Sequence, residues 1–299
     1  MAATSASRHK RGGLRRGTLT SERIVTESLR LLDTAGVAGF SMPRLGRALG
    51  ADPTAVYRHF ASKDDLVLAI ADRLIEEAMD GLPAHDCWVE TVIDIIRRQR
   101  RSYLAHPAAA SLSSFRTTGR PAELRVVDRL LGAVMAAGFE GFEAAVVYRA
   151  LGDFTLGFCG GEAALLALPE PLQHIDRAAW AQAYRAVGNE EYPHIWQVRD
   201  ELPLVADDDV FEEVLAIVIT GICERAPKPC TCGAHPGGSA ARHSGTARSR
   251  LNGQARAAGE GSGGHRNIPG TQERQGSRPG PRRRPGPIRN HDNVTLLLP

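Results

Sequence analysis

Between Thr20 and Ile70 the chain is punctuated as a set of short helices. Positions 24, 25, 28, 29, 31, 32 and 35 fall on one helical stripe, and Gly36 closes it with a residue suited to left-handed backbone. Thr20 stands at the cap, although Arg23 occupies the place where a capping box carries Glu. Val37 and Phe40 bracket a loop. Ser41 then caps a second helix, Met42 to Leu49, with Pro43 in its first turn and Gly50 at its end. Asp52 caps a third, 53–59, with Pro53 at the first helical position. Lys63 heads a fourth, longer helix with apolar positions 66, 67, 70, 74 and 75.

Two short helices joined by a Gly-containing turn read as a helix-turn-helix. The second opens with small and polar side chains, which a recognition helix needs to reach base edges. Thr54 and Ala55 can contact a thymine methyl, and Thr54 can also hydrogen-bond. Tyr57, Arg58 and His59 lie further along and can donate to phosphate oxygens, which fixes register rather than sequence. Charge follows the same division. Residues 1–63 carry 11 Lys/Arg against 4 Asp/Glu, whereas residues 64–225 carry 14 against 27. Only the first part has the sign that DNA attracts.

The run LLDTAGVAGFSMPRLGRALGADPTAVYRHFASKDDLVLAI resembles the DNA-binding domain of the tetracycline-repressor (TetR) family of bacterial regulators. Its hallmarks are Ala35-Gly36, Phe40-Ser41, Leu45, Leu49-Gly50, Val56-Tyr57-Arg58-His59-Phe60, Lys63 and Leu66. The resemblance implies DNA contacts at Ser41, Arg44, Thr54, Ala55, Tyr57, His59 and Lys63. Of these, Tyr57, His59 and Lys63 are expected on phosphates, and Arg44, Thr54 and Ala55 nearer the bases. Pro43 departs from the family pattern, where a polar residue is common.

Beyond Trp88 no strand alternation persists, so the expected fold is all-α: a three-helix helix-turn-helix domain followed by a helical ligand-binding and dimerisation bundle. Helices are expected over 88–104, 122–137, 141–158, 173–187 and 207–223, with a break at His106-Pro107 and a small, polar segment over 108–119. The apolar faces of the last two long helices exceed what one bundle buries, which favours a homodimer over a monomer. A helix-turn-helix that reads two half-sites also needs two copies. The stretches Gly119-Arg120-Pro121, Gly138 to Gly157 and Phe211-Glu212-x-x-Leu215 resemble the tetracycline repressors themselves.

Those repressors hold a magnesium–tetracycline chelate through a His in the loop before their Gly-Arg-Pro. Here that loop, 112–117, has none. Their Asn and aromatic contacts align near Ile95 and Gln99, and their partner-subunit acid near Gly161, beside Glu162. No metal-bound drug and no cofactor is expected. A different effector, apolar or aromatic, is expected against Trp88, Phe115, Tyr148 and Phe154, with His106 and Arg149 as polar handles; core packing is the competing role for each.

The domains are placed at 1–19 (a basic arm), 20–66 (DNA-binding), 67–225 (ligand-binding and dimerising) and 226–299. The arm holds five Lys/Arg and no acid, suited to phosphates or a minor groove. The segment 226–299 holds 13 Gly, 9 Pro and no aromatic residue, and is expected to be a disordered basic tail. Cys230-Thr231-Cys232-Gly233-Ala234-His235 offers three metal ligands without a second half, so no zinc site is expected. The five cysteines are too few and scattered for a disulfide framework, and no apolar run approaches the ~20 residues of a membrane span. A cytoplasmic regulator with operator DNA and a small molecule as partners is the leading expectation. A DNA-binding dimer without an effector is the alternative. An enzyme using His106, Asp153, Cys159 or Glu162 lacks the spacing of any catalytic motif.

Overall fold

The computed structural model describes residues 19–230, and every regular element among them is helical. The basic arm and the tail lie outside these residues except for their inner ends. In chain order the helices are α1 (Ser21–Gly39), α2 (Met42–Leu49), α3 (Pro53–Tyr57), α4 (Lys63–Met79), α5 (Trp88–Ala105), α6 (Pro107–Ser113), α7 (Pro121–Ala136), α8 (Gly141–Leu166), α9 (Glu170–Arg185), α10 (Pro193–Val198) and α11 (Asp207–Arg225). A 3-10 turn, Leu202–Leu204, precedes α11.

Side-chain caps start three of the first four helices. Thr20 accepts from the Arg23 N–H, Asp52 from Thr54 and Ser62 from Asp65. Ser41 takes the extended cap conformation of α2, but its hydroxyl makes no cap bond; Pro43, inside the first turn, offers no N–H there. Gly36 does end the straight part of α1: its φ of 64° breaks the helix before the last turn to Gly39. Ser28, the one polar member of the α1 stripe, is fully buried and donates its hydroxyl to the Ile24 carbonyl. Ile24, Leu32, Leu45, Val56 and Leu66 close the small core of α1–α4 at 0–1% exposure.

The rest of the chain packs around α4 and α5. Helix α4 lies against α1, α5, α6 and α7, so it belongs to both halves of the molecule and crosses the boundary drawn at 66/67. Helix α6 lies against α1, α4 and α8. It occupies the first half of the small, polar segment expected over 108–119, and the rest is loop. Pro107 both ends α5 and opens α6, and Ala108, Ala109 and Ala110 are buried there as good helix formers with little side-chain entropy to lose. Helix α8 continues two turns past 158, through Gly160 and Gly161. A Cβ on Gly160 would come within 2.8 Å of the Ser114 Cβ, so this glycine permits close packing rather than ending the helix. Helix α10 and the 3-10 turn are too short to leave a periodic signal.

Candidate functional site

Helix α3 is a single anchored turn. Val56 is wholly buried, while Thr54, Tyr57, Arg58 and His59 around it are exposed. Asp52 fixes the start: its carboxylate accepts from both the N–H and the hydroxyl of Thr54, and these bonds hold its pKa below the usual carboxylate range. Thr54 is thereby held at the exposed start of the helix, its hydroxyl tied to Asp52. Ala55 is half-buried.

The other expected DNA contacts surround this turn. Arg44 is exposed on α2 and donates to the Gly39 carbonyl (3.2 Å). Ser41 is half-buried at the head of α2. His59 Nδ1 lies 3.3 Å from the Ser21 hydroxyl, which ties the end of the α3 turn to the start of α1. The Lys63 ammonium donates to the Phe40 carbonyl (3.3 Å) and sits 5.2 Å from the Phe40 ring centroid. An ammonium has three donors, so that bond positions the charge without consuming it. Arg47, on α2, is exposed and reaches no further than the Pro43 carbonyl at 3.4 Å. Arg47 is not among the expected contacts, although it stands three residues from Arg44 on the same exposed side of α2.

The six expected effector contacts do not converge. Trp88 is buried at the head of α5, and its Nε1 has no hydrogen-bond partner among the described residues. Phe154 stacks towards Phe158, which in turn meets Phe211 of α11. Tyr148 is half-buried, and burial pushes its phenol up. Phe115 is 72% exposed. Arg149 pairs with Asp153 on the surface of α8. His106 faces Asp33 of α1 (3.0 Å) and Glu77 of α4 (3.5 Å), so it ties α1 and α4 to the α5–α6 corner. None of the six lines the open cleft between α4 and α7, which is walled by Arg73, Glu76, Glu77, Asp80 and Arg125.

Gln99 was placed only by its alignment. It is 5% exposed on the buried face of α5, with Nε2 unpartnered among the described residues. Such a group costs free energy wherever no ligand or water meets it. Glu162 is committed elsewhere: Arg100 of α5 grips it at 2.6 and 2.8 Å and also reaches Asp208 of α11. Burial pushes the Cys159 thiol up to about 12. His106 and Asp153 are held in separate environments, whereas Glu162 lies near Cys159 on α8 and adds to the upward shift of that thiol; the described residues contain no cluster of three metal-ligating side chains. No single described helix is long and apolar enough to cross a membrane.

A second polar connection joins the halves. Arg116 and Arg120, in the loop before α7, pair with Asp64 and Asp65 in the first turn of α4. The same loop is braced by Glu123, which accepts from the N–H groups of Thr118 and Gly119.

An anchored turn at α3, basic groups around it and a helical body linked to it through α4 define a helix-turn-helix domain joined to a helical bundle. The family of bacterial regulatory proteins of the tetR type matches residues 24–70, and the tetracyclin repressor-like C-terminal domain matches 81–226. The chain belongs to the TetR family. It is 31% identical over 144 residues to an HTH-type transcriptional regulator of Saccharopolyspora erythraea, covering 48% of this chain and 61% of that protein. It is 26% identical to the class A tetracycline repressor of Escherichia coli, over 69% of this chain and 92% of that one. The structure of a possible TetR family regulator from Streptomyces coelicolor A3(2) aligns with a TM-score of 0.58 at 29% identity, over 68% of this chain and 98% of that chain.

Proposed function

We propose that this chain is a homodimeric repressor that holds a double-stranded operator and leaves it when a small molecule occupies the helical domain. The observation that carries the reading is α3: Val56 is buried at 0% while its neighbours Thr54, Tyr57, Arg58 and His59 face outward. Thr54, Ala55 and Arg44 read bases. Ser41, Tyr57, His59 and Lys63 set the register on phosphates. A second copy covers the outer faces of α8 and α11, where Phe142, Leu165 and Ile217 are 86%, 62% and 62% exposed. The protein works in the cytoplasm, without cofactor, metal or catalysis.

The effector enters the helical domain, where the orphaned amide of Gln99, on the buried face of α5, supplies the polar handle. Occupation shifts the loop of Arg116 and Arg120, and with it the first turn of α4. The separation of the two recognition helices then changes. The effector acts only through a difference in its affinity for the two states. The salt-dependent affinity of residues 1–299 for their own upstream DNA, against a random duplex, tests the reading. Preference for the upstream DNA that Thr54→Ala removes supports it. Equal, steeply salt-dependent binding to both duplexes overturns it.

A further inference from the structure

Two cysteines far apart in the sequence meet in the fold. Cys87 immediately precedes α5, and Cys230 lies five residues beyond the end of α11. They are 143 positions apart, yet their Sγ atoms stand 3.0 Å from one another. About an ångström of side-chain movement separates that contact from a disulfide bond of about 2.05 Å. The approach is built, because the chain after α11 folds back over the α7–α8 turn. The Lys228 N–H donates to the Ala137 carbonyl (2.9 Å), and Pro227 and Lys228 press on Gly138, where a Cβ would meet Pro227 at 2.9 Å. Gly138 itself has a φ of 93°, a conformation that suits glycine.

The two thiols differ in ways that suit sequential reaction. Cys230 is half-buried and open to a small molecule, whereas Cys87 is 9% exposed. Cys87 is the cap residue of an 18-residue helix, with Asp86 and Glu90 close by in the sequence. Cys159, wholly buried with a thiol pushed up to about 12, is an inert control in the same chain.

We propose that Cys87 and Cys230 are a reversible thiol pair that hydroperoxides close into a disulfide, stapling the segment after α11 to the head of α5. The Cys230 thiolate attacks the peroxide oxygen; the O–O bond breaks, an alcohol or water leaves, and Cys230 becomes a sulfenic acid. The Cys87 thiolate then attacks that sulfur, the S–S bond forms and hydroxide departs as water with the released proton. Two thiols and one hydroperoxide give one disulfide, one alcohol and one water, and two equivalents of a small thiol reverse the change. In a reducing compartment such a bond is a signal rather than a framework. It pins the carboxyl end of α11 across a loop of 143 positions. Closing a loop of that size raises Tm by roughly 10 °C.

The test uses the full chain, reduced, desalted and exposed to hydrogen peroxide, then digested and mapped by mass spectrometry without reduction. The expected result is a dominant Cys87–Cys230 cross-link with an upward shift in Tm of roughly 10 °C. Dithiothreitol reverses both. Cys87→Ser and Cys230→Ser remove both, and mapping of the unsubstituted chain decides the matter even if a variant fails to fold. Three outcomes overturn the proposal: no cross-link, a cross-link of Cys230 to Cys223 or Cys232 that leaves Cys87 open to alkylation, or stoichiometric zinc that blocks oxidation and is lost in Cys87→Ser.

Discussion

Arg120 donates from one nitrogen, Nη2, to both the side chain and the main chain of Asp65, at 2.6 Å to Oδ1 and 3.3 Å to the carbonyl. Asp65 also accepts from the Ala61 N–H with its other oxygen (2.9 Å). One carboxylate therefore fixes the turn before α4 and receives the loop before α7. A double-mutant cycle with Arg120→Ala and Asp65→Ala isolates the connection, because it subtracts the bond to Ala61. The pair is 33% and 34% exposed, so the expected coupling is about 1 kcal/mol, at the upper end for surface pairs. Urea unfolding of the four proteins checks it, and a coupling under about 0.3 kcal/mol contradicts it. The Arg116–Asp64 pair, at 41% and 61% exposure, is expected near the lower end.

Base readout and phosphate positioning separate on Thr54 and Lys63. Thr54→Ala removes a hydroxyl tied to Asp52 at the exposed start of α3, and is expected to cost about 1–3 kcal/mol on the specific duplex with no change on random DNA. Lys63→Ala is expected to weaken both duplexes alike and to lower the slope of log K against log salt by about 1. Fluorescence anisotropy at several salt concentrations reads both. A Lys63→Ala protein that loses only specific binding contradicts the assignment.

The helix-turn-helix was legible because it is local. Gly36, Gly50 and the Asp52-Pro53 start are punctuation that the backbone obeys directly, and all three hold in the fold. Helix α6 was hidden because three alanines carry no amphipathic period, and their burial depends on α1, α4 and α8. Helix α8 runs beyond the expected 158 through Gly160, because that glycine serves the approach of Ser114, a contact from a distant stretch of chain. His106 illustrates the same limit at the site. Its partners, Asp33 and Glu77, come from other helices, and no spacing along the chain announces them.

Gly160→Ala makes that packing measurable. The added methyl would lie 2.5 Å from the Ser114 Oγ and 2.8 Å from its Cβ, so α8 or the end of α6 must shift. The expected loss is about 1–3 kcal/mol in urea unfolding. Adding Ser114→Gly removes both clashing atoms and is expected to restore a large part of it. If Ser114→Gly rescues nothing, the contact is not what constrains position 160.

Gln99→Leu separates ligand recognition from stability. The amide is 5% exposed and its Nε2 lacks a partner among the described residues, so an apolar side chain of similar volume is expected to stabilise the ligand-free protein by about 1 kcal/mol. Thermal and urea unfolding measure this directly. A loss of the same size means that water already satisfies the amide, and the effector handle must then be sought elsewhere.

Arg100 carries the largest expected single effect. Its guanidinium forks onto Glu162 at 2.6 and 2.8 Å, reaches Asp208 at 2.6 Å, and lies 4.4 Å from the Phe211 ring centroid. The hydrogen bonds to Glu162, foremost, hold its pKa above the usual arginine value. The Arg100 and Glu162 side chains are only 11% and 12% exposed, whereas Asp208 is 82% exposed. Arg100→Ala would strand Glu162 as a buried charge and is expected to cost about 3–5 kcal/mol. Glu162→Gln is expected to cost much less, because its amide oxygen still accepts and Asp208 still faces the cation. The double variant Arg100→Met/Glu162→Leu removes both charges and keeps the volume, so it is expected to recover stability relative to Arg100→Ala. Urea unfolding of the three variants ranks them. If Arg100→Ala proves no worse than Glu162→Gln, the pair behaves as a solvated surface bridge and does not fasten α5 to α8 and α11.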